Sequence, residues 1–326
     1  VAGFSFFESS SSLSFMKKFR STFAALISLL MVASVAVSAN AADDSSPLSG
    51  LPGGKGKPVV MVKIDNVNPA RPHTGLYKAD LVYVYQVEGG LTRIAAMYNS
   101  NFPTAVGPVR SARLSDLDIL RQYGNPGLVY SGANRVLIKR INSAKSWVPM
   151  GPSQTRGMYR TRAKRVPHNL MINLRQAVRN KKDIGKVKDI GLTFSAANPA
   201  GGKATNNFRV RWPAASVSGT WTGNGYRISL DGRPQSDAAN GVPLTAKTVV
   251  VQYTRQVPGA TPRVHTVGSG EAVILRNGKR YEATWVRDRI KGGTTYYVDG
   301  KPFNMDVGQV WVLLFDQKKK RSVTFG

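Results

Sequence analysis

Apolar and polar positions follow two different rhythms along this chain. "PVVMVKID" at residues 58–65 is a continuous apolar run with a polar end, which predicts a strand buried on both faces. Residues 80–88 and 91–98 are extended runs on either side of Gly89-Gly90, a two-residue hairpin signal. Leu114, Leu117 and Leu120 recur at helical spacing within residues 113–123. "GLVYSGA" at residues 127–133 predicts a further strand, with a short helix over residues 135–142. Leu170, Leu174 and Ala177 share one helical face over residues 170–179. The pattern then breaks into Lys, Gly, Ala and Asn, and beyond it extended segments dominate: "FRVRW", "YRISL", "TVVVQY", "EAVILR", "RYEATWV", "TYYV" and "VWVLLF". Asn277-Gly278 and Asp299-Gly300 are placed for type I′ hairpin turns.

The expected fold class is therefore α+β, a mixed α/β N-terminal domain followed by a mostly-β C-terminal domain. The expected boundaries are a leader over residues 1–41, a flexible tether rich in Ser, Gly and Pro over 42–57, a first domain over 58–185, a linker over 186–207 and a β-rich accessory domain over 208–326. Within the leader, Met16 opens a segment with Lys17, Lys18 and Arg20. An apolar run over residues 23–37 follows, then small residues at Ala39 and Ala41, which is the layout of a cleaved secretory signal peptide.

Composition narrows the chemistry. The 326 residues contain no cysteine, which removes disulfides, thiolate nucleophiles, Cys-ligated zinc and a lipid-modified cysteine. The expected localisation is therefore extracytoplasmic, secreted or wall-associated and not lipidated. The net charge is +28, and the leader carries only Lys17, Lys18, Arg20 and Glu8, so the excess lies in the remainder. Such a balance attracts polyanions and is screened by salt. For an exported chain the expected partners are anionic wall polymers or peptidoglycan, with adsorption to a membrane surface as an addition. Nucleic acid falls behind these, and composition fixes neither cofactor nor oligomeric state. A GxSxG elbow, an HExxH helix and a phosphate-binding GxxxxGK[ST] loop are all missing from the sequence.

Five compact polar motifs gather between Lys63 and Leu170: "KIDN", "RPHTGL", "VEGGLTR", "GPVRSAR" and "VPHNL". Asp65 stands where an apolar strand ends, the edge at which α/β sheets place functional side chains, with Asn66 suited to closing a turn. Arg71 and His73 follow in a loop. Asp and His together suit acid–base work, although their spacing names no metal site. Across the two-glycine hairpin Gln86 is expected to face Arg93, with Glu88 a diagonal neighbour of Arg93 and a structural ion pair competing with a catalytic role. Arg110 and Arg113 flank a helix start, where cations oppose the macrodipole unless an anion or a carboxylate is present. Asp116 and Asp118 are candidate counter-charges, and Ser111 a candidate cap. His168 and Asn169 stand at the mouth of the next predicted helix, Asn169 as its expected N-cap.

These motifs, together with "PLSGLP", "ADLVYVYQVEGGLTR", "GPVRSARLSDLD", "GSGEAVILRNGK" and "GQVWVLL", resemble those of the YerB-like proteins. The resemblance runs from Pro47 to about Phe315. It implies a two-domain bacterial envelope protein and brings no established reaction. Members are often lipoproteins, a point on which this cysteine-free chain departs. Three readings remain open. The first is recognition of an anionic wall glycopolymer or peptidoglycan fragment, with Arg71, Arg93, Arg110 and Arg113 binding it and Asp65, Glu88 and His168 orienting. The second is hydrolysis or transfer at a phosphodiester or glycosidic linkage, with Asp65, Glu88 and His168 catalytic. The third is a scaffold for a wall-synthesis partner.

Overall fold

Both faces of the predicted strand "VVMVKID" are covered, and that burial organises the molecule. In the computed structural model, which describes residues 44–259 and 261–326 with positions 1 and 3, strand β1 (Val60–Asp65) is buried at every position. Val60, Val62 and Ile64 enter one apolar cluster and Met61 the other, as period-two alternation requires of a strand sandwiched between two layers. The strands β2 (Leu81–Gln86), β3 (Thr92–Tyr98), β4 (Gly127–Val129) and β5 (Val148–Met150) complete the first half's share of the main sheet. Its helices are short: α1 (Leu114–Leu120), α2 (Arg135–Ser143) and α3 (Leu174–Arg179). The second half contributes β6 (Asn207–Trp212), β7 (Ala215–Trp221), β8 (Tyr226–Leu230), β9 (Thr248–Thr254), β10 (Gly268–Arg276), β11 (Lys279–Arg287) and β12 (Val310–Asp316). The described residues are thus mostly sheet with few helices.

The main sheet has twelve strands, and its central order is β11-β10-β9-β12-β2-β3-β1-β4-β5. Strand β12 runs parallel to both β9 and β2, pairing Val312 with Val250 on one side and with Tyr83 on the other. The expected first and second domains therefore share one sheet. Strands β6 to β8 belong to a second, six-stranded sheet. Its inner residues Phe208, Val210, Trp212, Val217, Ile228 and Leu230 join the cluster on the Val60 face. The opposite face packs against α1 through Leu117 and Leu120. Asn277 and Gly278 have φ of 53° and 70°, Asp299 and Gly300 of 49° and 72°, so both expected I′ turns form.

Three local expectations are corrected. Residues 44–57 pack rather than hang free: Leu48 is fully buried, and Ser49 Oγ donates to Asp80 Oδ1 at 2.5 Å. The expected linker contains two short paired strands, Thr193–Phe194 and Lys203–Ala204. The helical reading of residues 170–179 fails for its first half, where Leu170–Ile172 forms a strand paired with Met158–Arg160. Asn173, not Asn169, caps α3 by accepting the Gln176 N–H at 3.0 Å.

Candidate functional site

The site is built at the C-terminal end of β1. Lys63 and Asp65 project to the same side as Arg93, which lies directly opposite Asp65 in the β1–β3 register, and as Tyr85, opposite Arg93 in β2–β3. Residues 108–110 run alongside this end of the strand: the Asp65 N–H donates to the Pro108 carbonyl at 2.9 Å, and the Arg110 N–H to the Lys63 carbonyl at 2.8 Å. The Val109 N–H in turn donates to the Leu170 carbonyl at 2.6 Å, which carries the "VPHNL" segment to the same edge. Backbone pairing thus delivers three distant motifs to one place.

Asp65, fully buried, is the hub. Its Oδ1 lies 3.3 Å from Arg93 Nη1, and its Oδ2 lies 3.1 Å from Arg110 Nε and 2.8 Å from His168 Nδ1. One carboxylate therefore faces two guanidinium groups and an imidazole. A buried carboxylate is tolerated only when paired in this way. Arg93 is nearly enclosed, whereas Arg110 and His168 keep 27% and 20% of their side-chain surface in water. Arg110 Nη1 and Nη2 and His168 Nε2 have no protein partner among the described residues. With Nδ1–H donated to Asp65, a neutral His168 holds an open acceptor at Nε2.

Beneath this layer is a second, dry one. Lys63 and Asp116 form a fully buried ion pair at 3.0 Å, and the Tyr85 hydroxyl accepts from Lys63 and donates to Asp116. Burial lowers the Lys63 ammonium to about 8, against the pull of Asp116 in the other direction. Of this triad only Asp116 is singled out from sequence, as a counter-charge for Arg110 and Arg113, and neither Lys63 nor Tyr85 is expected as its partner. Its signal was present: a lysine inside an apolar strand must find an acidic partner.

His73 is also held here, with Nε2–H donating to the Asp65 carbonyl at 2.7 Å. Burial depresses it to about 4, so it is a neutral structural imidazole near pH 7, with Nδ1 unpartnered among the described residues. Asn66 donates to Thr92 Oγ1 at 2.8 Å and accepts from Arg71 Nε at 3.3 Å, a bracing role. Asn169 accepts from Arg160 Nη1 at 2.7 Å.

The remaining candidates are placed differently from expectation. Glu88 does not meet Arg93. The turn occupies Glu88–Gly90 with the Val87 N–H donating to the Leu91 carbonyl at 2.8 Å, so Gln86 pairs with Thr92 and Tyr85 with Arg93. A one-residue difference in register sends Arg93 to the other face. Glu88 instead takes a bidentate grip on Arg113, at 2.6 and 2.9 Å, and accepts from the Thr261 hydroxyl. Arg71 is matched by Asp231 at 2.7 Å. Asp116 and Asp118 are not the counter-charges of Arg110 and Arg113: Asp116 is taken by Lys63, Asp118 by Arg263 at 2.7 Å. Ser111 does not cap α1; the Arg113 N–H is accepted by Asp116 Oδ2 at 2.6 Å. Of the four expected arginines, Arg93 and Arg110 meet at Asp65. Arg71 and Arg113 are neutralised elsewhere. Among the described residues no group of three His, Asp or Glu side chains could hold a metal ion.

The Glu88–Arg113 contact has a measurable acid signature. Burial alone would raise the Glu88 carboxyl, but hydrogen bonds from Arg113 and Thr261 outweigh it and hold the group down to about 2, from an ordinary 4.5. The unfolded chain takes up this proton near 4.5 and the folded chain only near 2. The stability it brings is therefore complete above pH 4.5 and is lost as pH falls through 2. Glu88 keeps 41% of its side chain exposed, so water limits the effect to below about 1 kcal/mol. Glu88→Gln is expected to be less stable than wild type at pH 7 by this amount and equal to it near pH 2, read from urea midpoints.

Comparison with known proteins agrees with the architecture. Residues 48–186 match the family described as protein of unknown function (DUF3048), N-terminal domain, and residues 208–312 match the corresponding C-terminal domain. A curated relative from Bacillus subtilis (strain 168), named "Putative lipoprotein YerB", is 24% identical over 283 residues, covering 83% of this chain and 84% of its own. The crystal structure of YerB protein from Bacillus subtilis superposes with a TM-score of 0.74 at 22% identity, over 86% of this chain and 99% of that one, a likeness of fold. One expectation falls here. Export as an unlipidated protein is contradicted by the relative's printed name, "Putative lipoprotein YerB". Residues 4–43, which hold the expected signal peptide, lie outside the described residues. With both halves of the family matched in order across residues 48–312, the chain belongs to the YerB-like DUF3048 proteins.

Proposed function

We propose that the Asp65 cluster recognises a phosphate or carboxylate group of an anionic envelope glycopolymer or peptidoglycan fragment. The supporting observation is the charge arithmetic of the cluster. Two fixed guanidinium charges and an imidazole share one carboxylate, and the unsatisfied donors of Arg110 lie at its exposed side. Asp65 fixes the orientation of Arg110 through Nε and leaves both Nη groups to bind an anion, the geometry in which guanidinium contacts are strongest. The chain's net charge of +28 supplies long-range attraction for such a polymer.

The Asp65–His168 contact at 2.8 Å favours a second reading. A histidine oriented through Nδ1 by a buried carboxylate, with Nε2 open beside a guanidinium, suits general acid–base catalysis of hydrolysis or transfer at a phosphodiester or glycosidic linkage. Glu88 takes no part in this version, because it is bound to Arg113.

The test uses poly(glycerol phosphate) and solubilised peptidoglycan as probes, at low and high salt. Arg110→Gln is expected to weaken retention about tenfold, the equivalent of one lost charge-assisted contact, with unfolding temperature preserved. Equal retention by wild type and Arg110→Gln overturns the binding proposal. Soluble products released by wild type and not by His168→Asn establish the catalytic reading instead.

A further inference from the structure

A second place in the molecule combines charge with exposed apolar surface. A cavity of about 580 Å³ lies against α2, walled by Leu114, Val136 and Leu137 and edged by Arg113, Arg135 and Arg140. Its volume falls within the roughly 300–1,000 Å³ range of small-ligand sites. Thr261 closes it from the second half of the chain, anchored by its hydroxyl to Glu88.

The arginines play unequal parts. Arg113 is spent: its Nε and Nη2 are on Glu88, and its Nη1 donates to the Ser111 and Ala112 carbonyls at 3.0 and 3.1 Å. Arg135 and Arg140 have no carboxylate, carbonyl or hydroxyl partner among the described residues. Val136, between them in sequence, leaves 65% of its surface in water, one of the few large apolar side chains so exposed. Free guanidinium donors around an apolar wall suit neither a plain inorganic anion nor a neutral hydrocarbon. The first would leave the apolar wall wet, and the second would leave both charges unmatched.

We propose that this cavity is a second binding site, for a small amphipathic anion: a phosphate or carboxylate head held by Arg135 and Arg140, with an alkyl portion against Leu114, Val136 and Leu137. The site shares no residue with the Asp65 cluster, and its existence does not depend on the function proposed there.

The probes are decyl phosphate and decanoate, kept below their micellar concentrations, titrated calorimetrically into the protein. Inorganic phosphate and decanol test each half of the ligand alone. One of the two alkyl anions is expected to saturate a single site, the stronger of them naming the head group, with phosphate and decanol each at least tenfold weaker. Arg140→Gln and Val136→Asp, both at exposed positions of α2, are expected to reduce affinity about tenfold or more, with thermal unfolding unchanged. The proposal is overturned by the absence of saturable binding, by undiminished affinity in both variants, or by inorganic phosphate binding as tightly as decyl phosphate.

Discussion

Asp65→Ala is expected to cost about 3–5 kcal/mol of stability, the largest single-residue effect anticipated for this chain. Removing the partner of a buried charge is strongly destabilising at this scale because the remaining charge stays desolvated. Here the groups left behind are Arg93, nearly enclosed and, among the described residues, otherwise bonded only to the Thr92 carbonyl at 3.1 Å, with Arg110 and His168 beside it. Alanine also leaves a void where the carboxylate stood. Asp65→Asn restores the volume without the charge and is expected to fall between alanine and wild type. Urea unfolding followed by fluorescence of the buried tryptophans gives the comparison. A loss below about 1 kcal/mol for the alanine variant, the range typical of exposed ion pairs, would show that Asp65 is not the hub described.

Acidification from pH 6.5 to 4 is expected to remove about 3 kcal/mol through His73 alone. The unfolded imidazole protonates near its ordinary 6.5, and the folded one, pushed down by burial and only partly supported by its bond to the Asp65 carbonyl, near about 4. Between those values the unfolded chain binds the extra proton. Stability therefore rises with pH across the window, is complete above 6.5, and is lost as pH falls through 4. His73→Gln keeps a donor for the Asp65 carbonyl and cannot titrate. Its stability between pH 7 and pH 4 should decline less steeply than that of wild type, measured by urea midpoints at half-unit steps. Parallel slopes for the two proteins would place the acid sensitivity elsewhere. The Glu88 contribution occupies the lower window from 4.5 to 2 and is separable from it.

Local pattern predicted the strands well, because burial on both faces writes itself into runs such as "VVMV" and "VWVLL". It predicted the β2–β3 hairpin but misplaced its register, since a two-glycine turn and the three-residue turn at Glu88–Gly90 differ by one position, and that one position decides whether Arg93 meets Glu88 or Asp65. Motif density drew notice to Asp65, Arg93, Arg110 and His168 together with Arg71, His73, Glu88 and Arg113, and the fold gathers the first four around one carboxylate. What brings them together is the pairing of residues 108–110 with β1 and of Val109 with Leu170. Such pairings depend on backbone hydrogen bonds between segments 43 to 61 residues apart, which leave no periodicity to read. Arg287 shows the same limit. It is fully buried and donates to the Asp118, Gly292 and Ile290 carbonyls, while the buried Trp285 donates its indole N–H to the Tyr253 carbonyl. A basic residue satisfied by carbonyls and the Thr266 hydroxyl looks, in sequence, like any solvated one.

The seat of β12 between β2 and β9 sets an order of events during synthesis. Tyr83 and its neighbours emerge from the ribosome more than two hundred residues before Val312, their hydrogen-bonding partner. Until β12 arrives, β2 presents a raw edge, and such an edge recruits strands from other chains. The nascent first half therefore needs shelter from its own kind for most of its elongation. A chain cut short before residue 310 would be sticky rather than merely incomplete.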